Sequence, residues 1–204
     1  MKKGRLAILV GIDGSGKSSL LSRLEKEGYF VSHWRKLAKL SLPKSLNFTN
    51  PAEMVQTLRG QKRLEFLWGY IDSEWKYLIK PTLESGSNVV SDGFFIRFLA
   101  KEKIYQRLST TEFVKRSPLT GDEFVIMIDV PPKIAFKRKK KLVISPYECL
   151  KSPQDFVDFQ SLQRKILLEL IKKFSHIVVD GRLQKGKLAK RVLLALKENQ
   201  IEPS

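Results

Sequence analysis

Gly11-Ile12-Asp13-Gly14-Ser15-Gly16-Lys17-Ser18 decides how this chain is read. Two glycines separated by four residues and followed by Lys-Ser fit the phosphate-binding loop pattern. The flanks fit as well. Leu6-Ala7-Ile8-Leu9-Val10 is a short apolar run of the kind that forms a buried parallel strand. Ser18 to Glu27 reads as a helix, with Leu20, Leu21 and Leu24 on one side and Gly28 as its stop. Side chains at Gly11, Gly14 and Gly16 would block the close approach of backbone N–H groups to a phosphate. The helix behind the loop, opening with Ser18 and Ser19, points its positive dipole end at the same anion. In this pattern Lys17 reaches the β- and γ-phosphates and Ser18 offers its hydroxyl to Mg²⁺. The plainer alternative, a glycine-containing turn before an ordinary helix, does not account for the whole pattern. The loop implies nucleotide binding and leaves open what is done with the nucleotide.

At 204 residues the chain is expected to form one domain, 1–204, with a proper core. A hydrophobic content of 42% and a charged content of 29% are those of an ordinary globular protein, so composition excludes a disordered or fibrous chain. The net charge of +17 is not ordinary. It suits phosphorylated or polyanionic partners, nucleic acid among them, although a solvated basic surface is the commoner cause. Cys149 is alone, so there is no disulfide framework and no Cys-rich metal site. His33 and His176 are too few and too far apart in sequence to argue for a metal site. Met1-Lys2-Lys3 ahead of the apolar run mimics a signal peptide, but the run is cut short by Asp13. No stretch approaches the ~20 apolar residues of a membrane span, and a cytoplasmic location is expected.

Beyond the loop, Tyr29 to Trp34 reads as a second strand. Arg35, just past its end, is either an anion contact, since ligands of open α/β sheets bind outside the carboxyl ends of strands, or a surface Arg. Asn50-Pro51-Ala52-Glu53 looks like a helix start. Leu64, Leu67, Trp68, Ile71, Trp75 and Leu78 then recur at helical spacing, with Pro81 near the end. The rings on this helix, Phe66 among them, suit core packing, and one of them can stack on a base. Asn88 to Asp92 reads as a third strand ending in an acid. Asp92 there can hold Mg²⁺ through water, orient the attacking group, or cap the helix Phe94 to Ile104.

Ser117 to Gly121 marks a loop, and Phe124 to Asp129 reads as a fourth strand. Pro131 and Pro132 fit the first turn of another helix, which runs into the basic residues 137–141. That run is either a solvated face or the start of a basic lid closing over a triphosphate. Ser152-Pro153-Gln154-Asp155 starts the next helix, whose stripe Phe156, Phe159, Leu162, Ile166, Leu170 and Phe174 reads as core. His176 to Asp180 is a fifth strand, and Leu188, Val192 and Leu196 mark a terminal helix. Short strands alternating with helices predict an α/β fold: a parallel sheet covered on both faces and joined by right-handed crossovers.

The loop, Ile79-Lys80-Pro81, Val90-Ser91-Asp92, and Ile128-Asp129-Val130-Pro131-Pro132 with Arg138 downstream resemble the thymidylate kinase family, from Leu6 to Lys197. The resemblance implies a three-layer P-loop kinase fold with a five-stranded sheet in the order 2-3-1-4-5 and a lid at about 138–151. It implies ATP- and Mg²⁺-dependent phosphoryl transfer to a nucleoside monophosphate, with thymidine monophosphate as the family's acceptor, and a homodimer. Asp13 matches the carboxylate that holds the acceptor's 3′-hydroxyl. Asp92 matches the strand-end Asp near the reacting phosphates, Phe66 falls near the aromatic that stacks on the base, and Arg138 matches the lid. Gly14-Ser15 resembles the subgroup whose catalytic Arg comes from the lid. The departures are on the acceptor side. Gly93 stands where the family has an acceptor-gripping Arg, Lys101 and Glu102 stand in place of Tyr and Gln, and Lys36-Leu37 replace Glu-Pro. Arg97, one helical turn after Gly93, is the candidate replacement, with Arg35 as a helper. Two other readings stay open: a kinase of the same fold for a different acceptor, and an ATP-binding module with a basic nucleic-acid surface. A partner-driven P-loop ATPase switch is a third.

Overall fold

The computed structural model describes residues 3–33, 60–105, 114–139 and 152–203. Arg35, the helix start at Asn50 and the 140–151 part of the expected lid lie outside them. In chain order the described elements are β1 (Leu6–Val10), α1 (Lys17–Lys26), β2 (Phe30–Ser32) and α2 (Gly60–Glu74). A π-helical turn (Trp75–Ile79) joins α2 to α3 (Lys80–Glu84). Then follow β3 (Val89–Asp92), α4 (Phe94–Tyr105), β4 (Phe124–Asp129), α5 (Pro132–Arg138), α6 (Pro153–Ile171), β5 (Ser175–Asp180) and α7 (Lys185–Glu198).

The strands pair in parallel in the order β2-β3-β1-β4-β5, as expected. Alternation along β1 divides the core. Leu6, Ile8 and Val10 face Leu67 and Ile71 of α2, Phe94 of α4 and Leu167 of α6. Ala7 and Leu9 face Leu20 and Leu24 of α1 and Leu188, Val192 and Leu196 of α7. The result is helix, sheet, helix. Because all strands run the same way, the ends of β1, β2 and β3 meet at one edge, where the loop begins.

Three local features differ from the expected elements. The second strand is shorter than Tyr29 to Trp34. The long helix does not run as one α-helix, because Pro81 has no N–H and its ring crowds the carbonyl four residues back. The wider π turn before it absorbs this, with the Lys80 N–H reaching the Trp75 carbonyl. Ile79, rather than Leu78, then takes the buried position. In α6 the expected stripe holds at Phe156 and Leu170, which are buried, and at Ile166 and Phe174, which pack against the core, but Leu162 is 45% exposed and Gln160, Gln163 and Leu167 are buried. An apolar count alone cannot find a helix face that buries two glutamines. The start of α6 matches its reading, with the Asp155 N–H donating to Ser152 Oγ at 3.1 Å and the Ser152 N–H to Asp155 Oδ2 at 2.8 Å.

Candidate active site

The loop Gly11–Ser18 joins the end of β1 to the start of α1. A Cβ at Gly14, where φ is +80°, would sit 2.5 Å from the Ala135 carbonyl oxygen, so α5 closes over the loop only because this residue is glycine. Lys17 Nζ donates to the carbonyls of Gly11 at 2.6 Å and Ile12 at 2.9 Å. Burial pushes its ammonium below the usual lysine range, the nearby cations Arg97 and Lys101 push the same way, and the carboxylates of Asp13 and Asp92 oppose them.

A cavity of about 930 Å³ opens from this loop. Gly11, Asp13, Gly14, Ser15, Gly16, Lys17, Ser18 and Ser19 all line it, as do Asp92, Arg97 and Arg138. Residues named from four separate stretches of sequence are thus brought to one volume. For Asp13, burial acts to raise the carboxyl, but Lys101, Lys17, Lys139 and Arg97 together hold it below the usual carboxylate range. Its backbone N–H donates to Gln160 Oε1 at 3.0 Å. Lys139 Nζ lies 3.9 Å from Asp13 Oδ2. At the end of α5, Arg138 Nη1 donates to the Gly181 carbonyl at 2.8 Å, which ties the end of this helix to the turn after β5.

On the other side of the cavity, Asp92 ends β3. Its Oδ2 lies 3.3 Å from His33 Nε2 and 3.5 Å from Arg97 Nη1, while Oδ1 is buried without a hydrogen-bond partner among the described residues. Gly93 sits at φ +70°, and a Cβ there would come within 2.9 Å of Arg97 Cβ. The backbone at this corner favours glycine, so a side chain at 93 is not simply missing: it is excluded by the conformation that brings Arg97 into the cavity.

Phe66 does not line this cavity. It lies on α2, half-buried, with its ring edge-on to Tyr70 at 5.2 Å between centroids. Trp68 and Trp75 pack instead against Phe95 and Phe94. Glu102 is locked in a buried, two-point ion pair with Arg63 of α2, with Arg63 Nε donating to Oε2 at 2.8 Å and Nη2 to Oε1. Lys101, one residue earlier, lines the cavity.

Residues that no motif pointed to are His33 and Gln163 in the wall of the cavity, and Glu74 behind it; Lys101, noted only as a departure from the family's pattern, also lines it. Glu74 Oε1 accepts from Ser32 Oγ at 2.6 Å and Ser91 Oγ at 3.1 Å. Burial raises its carboxyl above the usual range; the serine hydroxyls and Arg97 oppose this, and Asp92 adds to it. Two serines inside otherwise apolar strands were the available signal, since a buried hydroxyl needs a partner.

The chain is 26% identical to a thymidylate kinase of Francisella tularensis subsp. holarctica (strain OSU18), over an alignment covering 95% of this chain and 96% of that one. It is 26% identical to a probable thymidylate kinase of Methanosarcina barkeri, over 67% of this chain and 70% of that one. The chain is a divergent relative of the thymidylate kinases. No protein-family model matches it. Among solved structures, deoxyadenosine kinase from M. mycoides with dCMP and dCDP bound superposes with a TM-score of 0.64 at 18% identity, covering 95% of this chain and 99% of that chain. The same enzyme with dATP bound gives 0.61. The fold is thus that of the P-loop kinases. Among the described residues, no helix is long and apolar enough to cross a membrane.

Proposed function

We propose that this relative of the thymidylate kinases transfers the terminal phosphoryl group of ATP to a nucleoside monophosphate. One observation carries the reading. A single cavity joins a complete phosphate-binding loop to a second cationic wall, Arg97 and Lys101 of α4, on the far side of Asp92. A site with cations on both sides of its strand-end carboxylate suits two phosphorylated ligands rather than one. In this reading Gly11 to Ser19 hold the donor's phosphates and Lys17 and Arg138 offset charge on the transferred group. Asp13 takes a ribose hydroxyl, and Arg97 with Lys101 grips the acceptor's phosphate.

Mg²⁺ fits the residues present. Asp92 has a buried carboxylate oxygen without a hydrogen-bond partner among the described residues, and Ser18 offers a hydroxyl at the start of α1. An all-oxygen set of this kind suits a hard cation. When bound, Mg²⁺ neutralises charge on the donor's phosphates. The chain's own contribution is positioning and fixed charge.

Thymidine monophosphate is the first acceptor to test, on the strength of the relatives. A different acceptor is the second reading, and two observations favour it: Gly93 is required by its own backbone, and Glu102 is engaged by Arg63. The test is ADP production from Mg·ATP by the purified protein across nucleosides and nucleoside monophosphates, with a no-acceptor control. Turnover with one monophosphate is the expected result. Turnover with nucleosides alone, or ADP release that no acceptor raises, overturns the reading.

A further inference from the structure

His33 stands beside Asp92 because of strand register. Ser32 and Ser91 are Cα partners across β2 and β3, so His33 and Asp92 are the next pair along. Side chains alternate across a strand. The two serines therefore point to one side, where both donate to Glu74 Oε1, and His33 and Asp92 point to the other, into the cavity wall. Glu74 thus ties together the two strand ends that carry the pair. The pair is largely enclosed, with side chains 20% and 11% exposed.

Asp92 Oδ2 is approached from two elements, by His33 Nε2 following β2 at 3.3 Å and by Arg97 Nη1 of α4 at 3.5 Å. Both nitrogens lie within ion-pair distance of the same oxygen, and Oδ1 has no partner among the described residues. A carboxylate attracted from one side only still turns about its Cβ–Cγ bond. Two groups from different elements restrict that torsion.

We infer that His33 is a positioning residue for Asp92: together with Arg97 it sets the orientation of the carboxylate at the end of β3, in the wall of the cavity that opens from the loop. The inference rests on the phosphoryl-transfer reading. It also resolves a conflict within that reading. Arg97 has two demands on it, Asp92 and the acceptor's phosphate. When the acceptor draws the guanidinium away, the imidazole keeps the carboxylate in place. The Nε2–H needed for this is present in one neutral tautomer and in the imidazolium, so the role does not depend on a change of charge.

The test compares His33→Ala and His33→Gln in the full-length protein. Outer-shell partners of this kind are worth about 10–100-fold in activity. His33→Ala is expected to lower kcat by about that factor, with KM for ATP and the thermal midpoint near wild type. His33→Gln, whose amide N–H can donate to Oδ2, is expected to recover most of the loss. Crystal structures of the two ligand-free variants give a second readout: the Asp92 carboxylate turns in the alanine variant and stays in the glutamine variant. An unchanged kcat and an unchanged Asp92 in His33→Ala overturn the inference. So does a loss that comes with a lowered thermal midpoint and that His33→Gln does not recover, or a failure of both variants to fold. If the wild-type protein has no acceptor-dependent turnover, the kinase reading fails, and the Asp92 conformation in the two crystal structures decides the positioning role alone.

Discussion

The two sides of the cavity are built differently. The loop side is backbone: Gly11 to Ser18 wraps one stretch of chain, held by the Lys17 ammonium on its own carbonyls and by the Asp13 N–H on Gln160. The far side is side chains drawn from separate elements: His33 after β2, Asp92 at the end of β3, Arg97 and Lys101 on α4, with Glu74 of α2 behind them. A backbone site is specified by glycine spacing and tolerates little change. A side-chain site can be rewritten one residue at a time while the fold stays the same.

The largest expected effect is on the loop side. Lys17→Ala should reduce turnover by at least about 10²–10³-fold, the scale of losing one charge-stabilising donor. It should leave the thermal midpoint unchanged or higher, because burial disfavours the ammonium. Steady-state kinetics and a melting curve check both halves, and a variant that keeps turnover breaks the distinction drawn between the two sides.

Next comes the cationic wall. Arg97→Ala and Lys101→Ala should each raise KM for the acceptor or lower kcat by about 10–100-fold, since hydrogen bonds to charged groups are worth about 1.5–3 kcal/mol. ATP affinity, read by titration of a fluorescent analogue, should be spared. Loss of ATP affinity instead would merge the two sides into one donor site.

The third prediction concerns what supports that wall. Glu102→Ala removes the carboxylate that pairs with a buried guanidinium and should lower the unfolding free energy by about 3–5 kcal/mol in urea. The double change Arg63→Met with Glu102→Leu should recover most of it, because a buried pair is often matched by apolar packing. If the single change is mild, the pair is not what holds α2 against α4.

The smallest effect is a pH dependence. Burial raises the Glu74 carboxyl above its ordinary value of 4.5, so the folded chain holds this proton more tightly than the unfolded chain. The contribution is fully present below the unfolded value and is lost as pH rises through the folded one. Relative to Glu74→Gln, the wild-type protein should therefore be most stable at acid pH and lose ground toward neutrality. Thermal midpoints of the two proteins across pH 4 to 8 measure the difference, and a gap that does not change with pH means that folding does not shift the Glu74 carboxyl, which breaks the prediction.

Much of the architecture was readable in advance. The apolar runs at Leu6–Val10 and Phe124–Asp129 give the buried strands, and Ser152 with Asp155 gives the capped start of α6. Lys17, Asp92, Arg97 and Arg138 were named from local pattern and from resemblance, and they do share one cavity. Phe66 was named as well and lies away from it. His33 was weighed only as a metal ligand, from its distance in sequence to His176, whereas its neighbour here, Asp92, comes from a strand paired through register. Gln160 and Gln163 were hidden because a polar residue on a helix reads as solvent-facing until something is packed against it.

What the order of residues determined is therefore whatever depends on short-range geometry: the glycine-bounded loop, the strand and helix periods, the breaks at Gly28 and Gly93, and through them a parallel sheet with its ligand edge. Tertiary structure alone decided which side chains meet across that edge. The pairing of Ser32 with Ser91 sets His33 against Asp92, and the turn of α6 sets Gln160 against the Asp13 N–H. The physical reason is range. A backbone turn is a property of a few consecutive dihedrals, whereas a contact between β2 and β3, or between α6 and the loop, exists only once the whole core has chosen its register.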